Sequence, residues 1–575
     1  MKLKPISRGL VLFFLSACLI LNACLKADFP ETHYSDNLDE VLVSQDFDWK
    51  VRAIKQISVI VPTDRVVSIK SADGQFTYSK GMSENKLFVR ELTVETFVKT
   101  LMIEYQGRTN IISIDQSDDV IHTFMLYKTA ESNNNLLVNG NFEDQNYSYS
   151  FENNLQSNIS SSSLNNWILK TLQNNKPNSE IEQSLANWFL KMTDNLSNKL
   201  TFAYYYINAI PNTLYELELN ADLVSDLNGL NAYAELAFYS ANGQQILGYT
   251  EVIDQSGWNA YSIGETSPAS TAYIKVVLAT SDAGKGEVHF DNVVLTEIIA
   301  DLDNDGVPDN EDDYPADSLR AFNSFYPGSG YGLLAFEDTW PAKADYDFND
   351  LVLEYRFTLV TNASGFVVDL LGDFSILNVG ASYANGFGFQ LPDNLLSWFT
   401  SVSGVVNNSF ETGQTFPTVV VYAVSDQSYQ GLNYQVNMSL ASNAITESDI
   451  SIENWNPFLI ANGNRWHEIH LPYYEPTDLA DVSLFGTNYD DGNPNAWNGN
   501  KLVAEKTYLT FANLPWCIDV SSEFIWTLER TPINEGYNYF TSWAISSGSS
   551  YADWYLDGGA SGTESGYRDN SKLDL

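Results

Sequence analysis

Short runs in which every second residue is apolar recur along this chain, separated by clusters of Gly, Asn, Asp and Pro. "QISVIVP" and "KLFVREL" lie before residue 100, and "YELELNADL", "AYAELAFYS" and "AYIKVVLAT" lie beyond residue 200. A period of two sends neighbouring side chains to opposite faces of a strand, so each run offers one face to a core and the other to water. The pattern predicts an all-β protein. A length of 575 residues makes room for three or four domains, and β-sandwich or jelly-roll domains in series are the expected architecture. The 13 Trp, 33 Tyr and 31 Phe supply large apolar side chains for such cores and argue against global disorder.

Acidic residues number 73 against 30 basic ones, a formal net charge of −43. Nothing resembles a basic patch with interleaved aromatics, so no nucleic-acid partner is expected. This balance suits cations. Three cysteines, Cys18, Cys24 and Cys517, cannot build a disulfide framework. Cys517, in "LPWCIDV", is expected to be a small buried hydrophobe.

The first residues, "MKLKPISRGLVLFFLSACLILNAC", join a basic start to an apolar run too short to span a bilayer, the pattern of an export signal. "LNAC" resembles the lipobox of bacterial lipoproteins, with Cys24 as the lipidated residue; "LSAC" makes Cys18 the alternative, and a plain secretory signal is the simpler reading. Residues 1–23 are then a signal peptide and 24–46 a polar tether. Leucine after either cysteine implies, by resemblance to bacterial sorting rules, an outer-membrane lipoprotein held by its lipid anchor and exposed at the cell surface. A periplasm-facing or secreted protein is the alternative.

Residues 47–130 read as a small antiparallel β domain. Residues 136–297 open with "LLVNGNFED", carry "SGWNAYS" near the middle and close with "GEVHFDNVVLTEI". That order resembles carbohydrate-binding modules and related galactose-binding-like jelly rolls. The resemblance implies a structural calcium shared by Glu143 and Asp291, which could equally be surface charges at strand ends. It also implies aromatic glycan-binding residues. Trp167, Trp188 and Trp258 are candidates for them and for core positions alike. Within 155–200, an Asn- and Ser-rich stretch, "IEQSLANWFLKM" is expected to form a helix.

Residues 301–313 read "DLDNDGVPDNEDD". Asp301, Asp303, Asp305, Gly306, Asp309 and Asp312 stand at positions 1, 3, 5, 6, 9 and 12 of an EF-hand-type loop, and the carbonyl of Val307 falls at position 7. Clustered carboxylates that would repel one another are stabilised by a hard cation taking six to eight oxygens, so calcium is the expected cofactor. No amphipathic helix flanks the run, and a staple between domains is expected rather than a sensor. The repeat resembles the calcium linkers of thrombospondin type-3 arrays.

The remaining unit, 314–575, contains "LAFEDTWPAKADYDFNDLVLEYR" and, later, "RWHEIHLP", "LPWCI" and "YADWYLD". Following a calcium-type loop, these resemble the LruC domain of bacterial surface lipoproteins, which implies a calcium-associated β domain without catalytic residues. Read as an extended strand, "DYDFND" sets Asp345, Asp347 and Asn349 on one side and Tyr346, Phe348 and Asp350 on the other. With Glu337 and Asp338 nearby they form either a second metal site or the wet face of an edge strand. His467 and His470 lack the His-Glu-x-x-His spacing of a catalytic zinc site.

The expectation is a non-enzymatic, calcium-stabilised surface lipoprotein that binds polysaccharide or extracellular matrix glycan, or acts as an adhesin. A surface-anchored polysaccharide hydrolase and a purely structural surface protein are the alternatives.

Overall fold

The computed structural model describes Leu38 and residues 41–575, apart from 62–63, 106–107, 125–134, 138–139, 143–149, 153–166, 172–178, 185–186, 195–200, 228–231, 281–284, 299, 381, 393–395, 442, 444, 488–496, 499–500 and 503–506. Cys18, Cys24, Glu143 and the start of the expected tether lie outside the described residues.

Three β units follow one another. In the first, strand Arg52–Ile60 lies between Leu87–Glu95 and Asp119–Thr123, and a second sheet of four strands covers it. Arg52–Ile60 pairs antiparallel with Leu87–Glu95 but parallel with Asp119–Thr123. The unit is therefore not purely antiparallel. Alternate residues of the runs read above, among them Ile57, Val59, Phe88 and Val94, meet in one core.

The second unit is a sandwich of a five-stranded and a six-stranded sheet. Its core takes alternate residues of both sheets, including Tyr205, Leu217, Leu236, Val276 and Phe290. The helix expected over 181–192 is instead a strand pair, Ser179–Ser184 with Asn187–Asp194. Strand Asn187–Asp194 adds to the edge of Lys285–Ile298, so Leu190 and Met192 enter the core. Pairing with an open sheet edge overrides the local helical period, because it satisfies the backbone and buries the apolar face together.

The third unit has a seven-stranded and a four-stranded sheet. Trp455 sits at its centre, with ring centroids 4.7 Å from Tyr355, 4.7 Å from Phe357 and 5.6 Å from Phe389. Cys517 is buried beside these strands and free, and its thiol is raised well above the usual value by burial.

Part of the expected tether is built into this third core. Leu38, Val41 and Val43 of that segment are buried there, together with Phe47, Trp49 and Val51 from the start of the expected first domain. Phe47 and Trp49 meet Trp543 at 4.9 and 5.6 Å, and Trp49 Nε1 donates to the Asn513 carbonyl. Burying a large apolar side chain stabilises by about 1.5–3 kcal/mol, which outweighs the solvation of the acidic residues between them. Those acids point outward.

The first unit docks on the third next to this segment. Arg52 is buried, 3.0 Å from Asp519 and 3.5 Å from Glu95, and donates to the carbonyl of Val520. A Cβ on Gly328 would stand 1.9 Å from the Tyr78 ring, so the third unit's backbone lies directly on the first unit. Units that are serial in sequence are thus not serial in space. The first and third share an interface, and the jelly roll leaves and re-enters between them.

Candidate metal centre and binding face

The acidic loop occupies the point of re-entry. Val307 is buried with Val66 of the first unit and with Ala321 and Phe322 of the third. Lys80 of the first unit pairs with Asp313 at 2.6 Å, and the Asp309 amide donates to Ala300 at the jelly-roll end. Burial pushes the Glu311 carboxyl up to about 7, with Arg65 of the first unit lowering it and Glu297 of the jelly roll raising it.

Within the loop, one ligand oxygen each from Asp301, Asp303 and Asp305 lies within 4.8 Å of the others. Asp301 accepts from the amides of Asn304 and Gly306, Asp303 from that of Asp305, and Asp305 from that of Val307. Gly306 has φ +97 and meets nothing where a Cβ would stand, so glycine is required by conformation and not by crowding. Asp312 accepts from the Tyr314 amide through Oδ1. The Oδ2 atoms of Asp303, Asp305 and Asp312 are buried without a hydrogen-bond partner. Burial, with Asp305 and Asp303 adding to it, raises the Asp312 carboxyl to about 6. Asp303, Asp305 and Asp312, each with one oxygen committed to the backbone and the other buried and unpartnered, can together with Asp301 hold a hard cation. Asp309 plays a different part, accepting from the Leu302 amide and closing the loop. The chain on either side is strand or turn, with no helix among the described neighbours.

In the jelly roll, Asp291 is buried and accepts from the Asn292 amide at 2.7 Å, beside a register shift opposite Glu218 and Asn220. Trp167 is fully buried against Phe142 and Tyr205 and cannot offer a ring to a ligand. Trp188 is half-buried. Trp258 is 47% exposed, its ring edge-on to Phe189 at 5.8 Å.

A different set of aromatics lines the outer face of the six-stranded sheet. In strand Thr201–Asn208, Ala203 and Tyr205 face the core between the sheets, whereas Phe202, Tyr204 and Tyr206 lie on the other side and are themselves buried, in a second cluster edged by the half-buried Tyr233 and Tyr273. Lys275 lies directly across from Tyr206, its Nζ 4.9 Å from the Tyr204 ring. The same row continues through Ala237 to Gly248, two small residues side by side. Tyr239 borders them and donates to Gln245 at 3.1 Å, and Gln245 reaches Glu235 at 3.4 Å across Gly248. Rings, a shallow row of small residues and a chain of amide, carboxylate and ammonium groups together match what a sugar presents, an apolar ring face edged by hydroxyls. Neither of the tryptophans still at the surface belongs to this face. The signal in the sequence is the alternation of aromatics in "FAYYYIN" and "AYAELAFYS", of which only the second enters the sequence reading, as a strand.

The second acidic segment is a loop and not an extended strand. Tyr346 and Phe348 have φ of 61 and 49, and both rings are buried. Asp345 is exposed, whereas Asp347 and Asn349 are buried. The wet edge strand is excluded. In "RWHEIHLP", His470 and Glu468 are fully buried and joined at 2.9 Å, His470 also meets Asn456 at 2.6 Å, and His467 bonds the Trp340 carbonyl. Their ligand atoms are spent on the fold.

Among families, the model described as Domain of unknown function (DUF4842) matches residues 365–555, within the third unit and less than half of the chain. No curated protein matches. Several solved structures are similar in part. A candidate lipoprotein from Bacteroides ovatus aligns at 16% identity over 64% of this chain and 95% of its own, with a TM-score of 0.34. The family 11 carbohydrate-binding module of Clostridium thermocellum Lic26A-Cel5E aligns at 13% identity over 24% and 91%, with a TM-score of 0.19. The enzymatically active domain of bacteriophage CBA120 tailspike protein 4 aligns at 14% identity and a TM-score of 0.21, over 29% of this chain and 22% of the phage chain.

Proposed function

We propose that this protein is a non-enzymatic, calcium-braced lipoprotein of the outer membrane, displayed at the cell surface, that binds polysaccharide or matrix glycan. The observation that carries the reading is the set of buried, unpartnered carboxylate oxygens of Asp303, Asp305 and Asp312 at the junction of three β units. A calcium ion satisfies them and cancels their repulsion, and so fixes the angle at which the jelly roll leaves the other two units. Asp291, with Glu143, is the candidate ligand pair for a further structural calcium in the jelly roll.

Glycan binding is assigned to the half-buried rim of this face, with Tyr239, Tyr273, Lys275 and Glu235. The lipid anchor rests on the leader, with Cys24 as the acylated residue. Among the described residues no helix is long and apolar enough to cross a membrane. The third unit supplies the LruC-like body on which the binding unit is mounted.

A glycan array probed with the whole protein in calcium tests the binding face. Binding to at least one class of polysaccharide is expected. Replacing Tyr239 or Tyr273 by alanine removes a stacking contact of about 1 kcal/mol, which weakens the hit about fivefold. An array with no hits, or hits indifferent to both substitutions and to Lys275→Ala, contradicts the assignment.

A further inference from the structure

The third unit contains a second convergence of carboxylates, far in sequence from the calcium-type loop and enclosed by different elements. Oxygens of Glu337, Asp345 and Asp347 lie within 4.8 Å of one another. Glu337 follows strand Gly332–Phe336 and is fully buried. Its Oε1 accepts from the Phe348 amide at 2.7 Å, and its Oε2 has no hydrogen-bond partner. Asp347 accepts from the amides of Asn349 and Arg530. The buried Oδ1 of Asn349 is unpartnered as well. Asp345, the exposed member, opens the cluster to solvent.

We propose that Glu337, Asp345 and Asp347 bind a second divalent cation, of the calcium class, inside the third unit and independently of the loop at 301–312. Two oxygens on opposite sides of a calcium ion, each at roughly 2.3–2.6 Å, stand about 5 Å apart, which is the spread observed here. The donor set is oxygen only, which favours a hard ion over zinc or copper. Among the described residues no lysine or arginine forms an ion pair with any of these carboxylates.

The ion would act as a pin. The loop around Asp347 is also where the C-terminal segment attaches, through Arg530 N to Asp347, Thr527 Oγ1 to the Asp347 carbonyl at 2.9 Å and Ile533 N to the Tyr346 carbonyl at 2.8 Å. Cation binding at Asp347 therefore couples the end of the chain to the central sheet.

Calcium titration of the whole protein by calorimetry, with hydrogen exchange in parallel, tests this. Asp345→Asn, at an exposed position that leaves the fold intact, is expected to bind one ion fewer per chain or to weaken one site at least tenfold. Glu337→Gln should remove the same ion. A chelator should speed exchange at 345–350 and 527–533, and should do so equally in an Asp303→Asn/Asp305→Asn variant that has lost the loop ion. Ion count and affinity unchanged in both Asp345→Asn and Glu337→Gln would overturn the proposal. So would exchange at 527–533 indifferent to calcium. Neither result would touch the loop site, which the Asp303→Asn/Asp305→Asn variant reports separately.

Discussion

Glu468 illustrates how single residues hold the third unit. Its buried carboxylate pairs with Arg465 and His470 and accepts from Thr477 through both side chain and amide. Burial alone would raise its titration point, yet the bonds from His470, Arg465 and Thr477 outweigh burial and bring it down to about 2. An unfolded glutamate titrates near ~4.3, so this stabilisation is present above that value and is lost as pH falls through about 2. Glu468→Gln takes the carboxylate from buried His470 while Arg465 keeps Glu411, and should cost about 1–3 kcal/mol at neutral pH, read from denaturant unfolding. The variant should also lose the part of acid unfolding that wild type shows between about pH 4 and 2. Trp49→Ala removes an indole from the aromatic cluster around Trp543 and should cost about 3–5 kcal/mol, read from denaturant unfolding.

Elements were legible in the sequence where alternation and burial agreed. "YELELNADL", "AYIKVVLAT" and "KLFVREL" are strands with the expected inward faces. The hairpin over 179–194 was misread because Ile181, Leu185, Phe189 and Met192 recur at helical spacing, and the sheet edge that recruits them comes almost a hundred residues later. Residues 41–51 carried their own signal. Val41, Val43, Phe47, Trp49 and Val51 fall on alternate positions, but acidic neighbours made the stretch look solvated. In "DYDFND" the alternation was real and the strand was not: Tyr346 and Phe348 turn in the left-handed region, so both rings and the Asp347 carboxylate are buried while Asp345 stays exposed. The register of Asp301, Asp303, Asp305 and Asp312 could be read because a loop of fixed spacing is local. The tyrosine face could not, because it is assembled from four strands. A steric test belongs at this scale. Gly328→Val drives a side chain into Tyr78 and should loosen the first unit from the third, seen as faster protease cleavage between residues 124 and 135 and near 51, while Gly264→Val, at an exposed strand position with open space beside it, should not.

At the scale of the molecule, two β units share an interface built on Arg52, and the jelly roll stands out from them, joined at a loop of carboxylates. The loop packs on all three units through Val307, Lys80 to Asp313, and Glu311 near Glu297. An ion there stabilises the assembly by RT ln(1 + [L]/Kd), about 4 kcal/mol at a thousandfold excess over Kd. The most direct measurement is calorimetric melting of the intact protein in calcium and in chelator, with the Asp303→Asn/Asp305→Asn variant alongside. Calcium should raise the wild-type transition by on the order of 10 °C, and the variant should keep only the part owed to other sites. Superimposable wild-type transitions with and without calcium would contradict the brace.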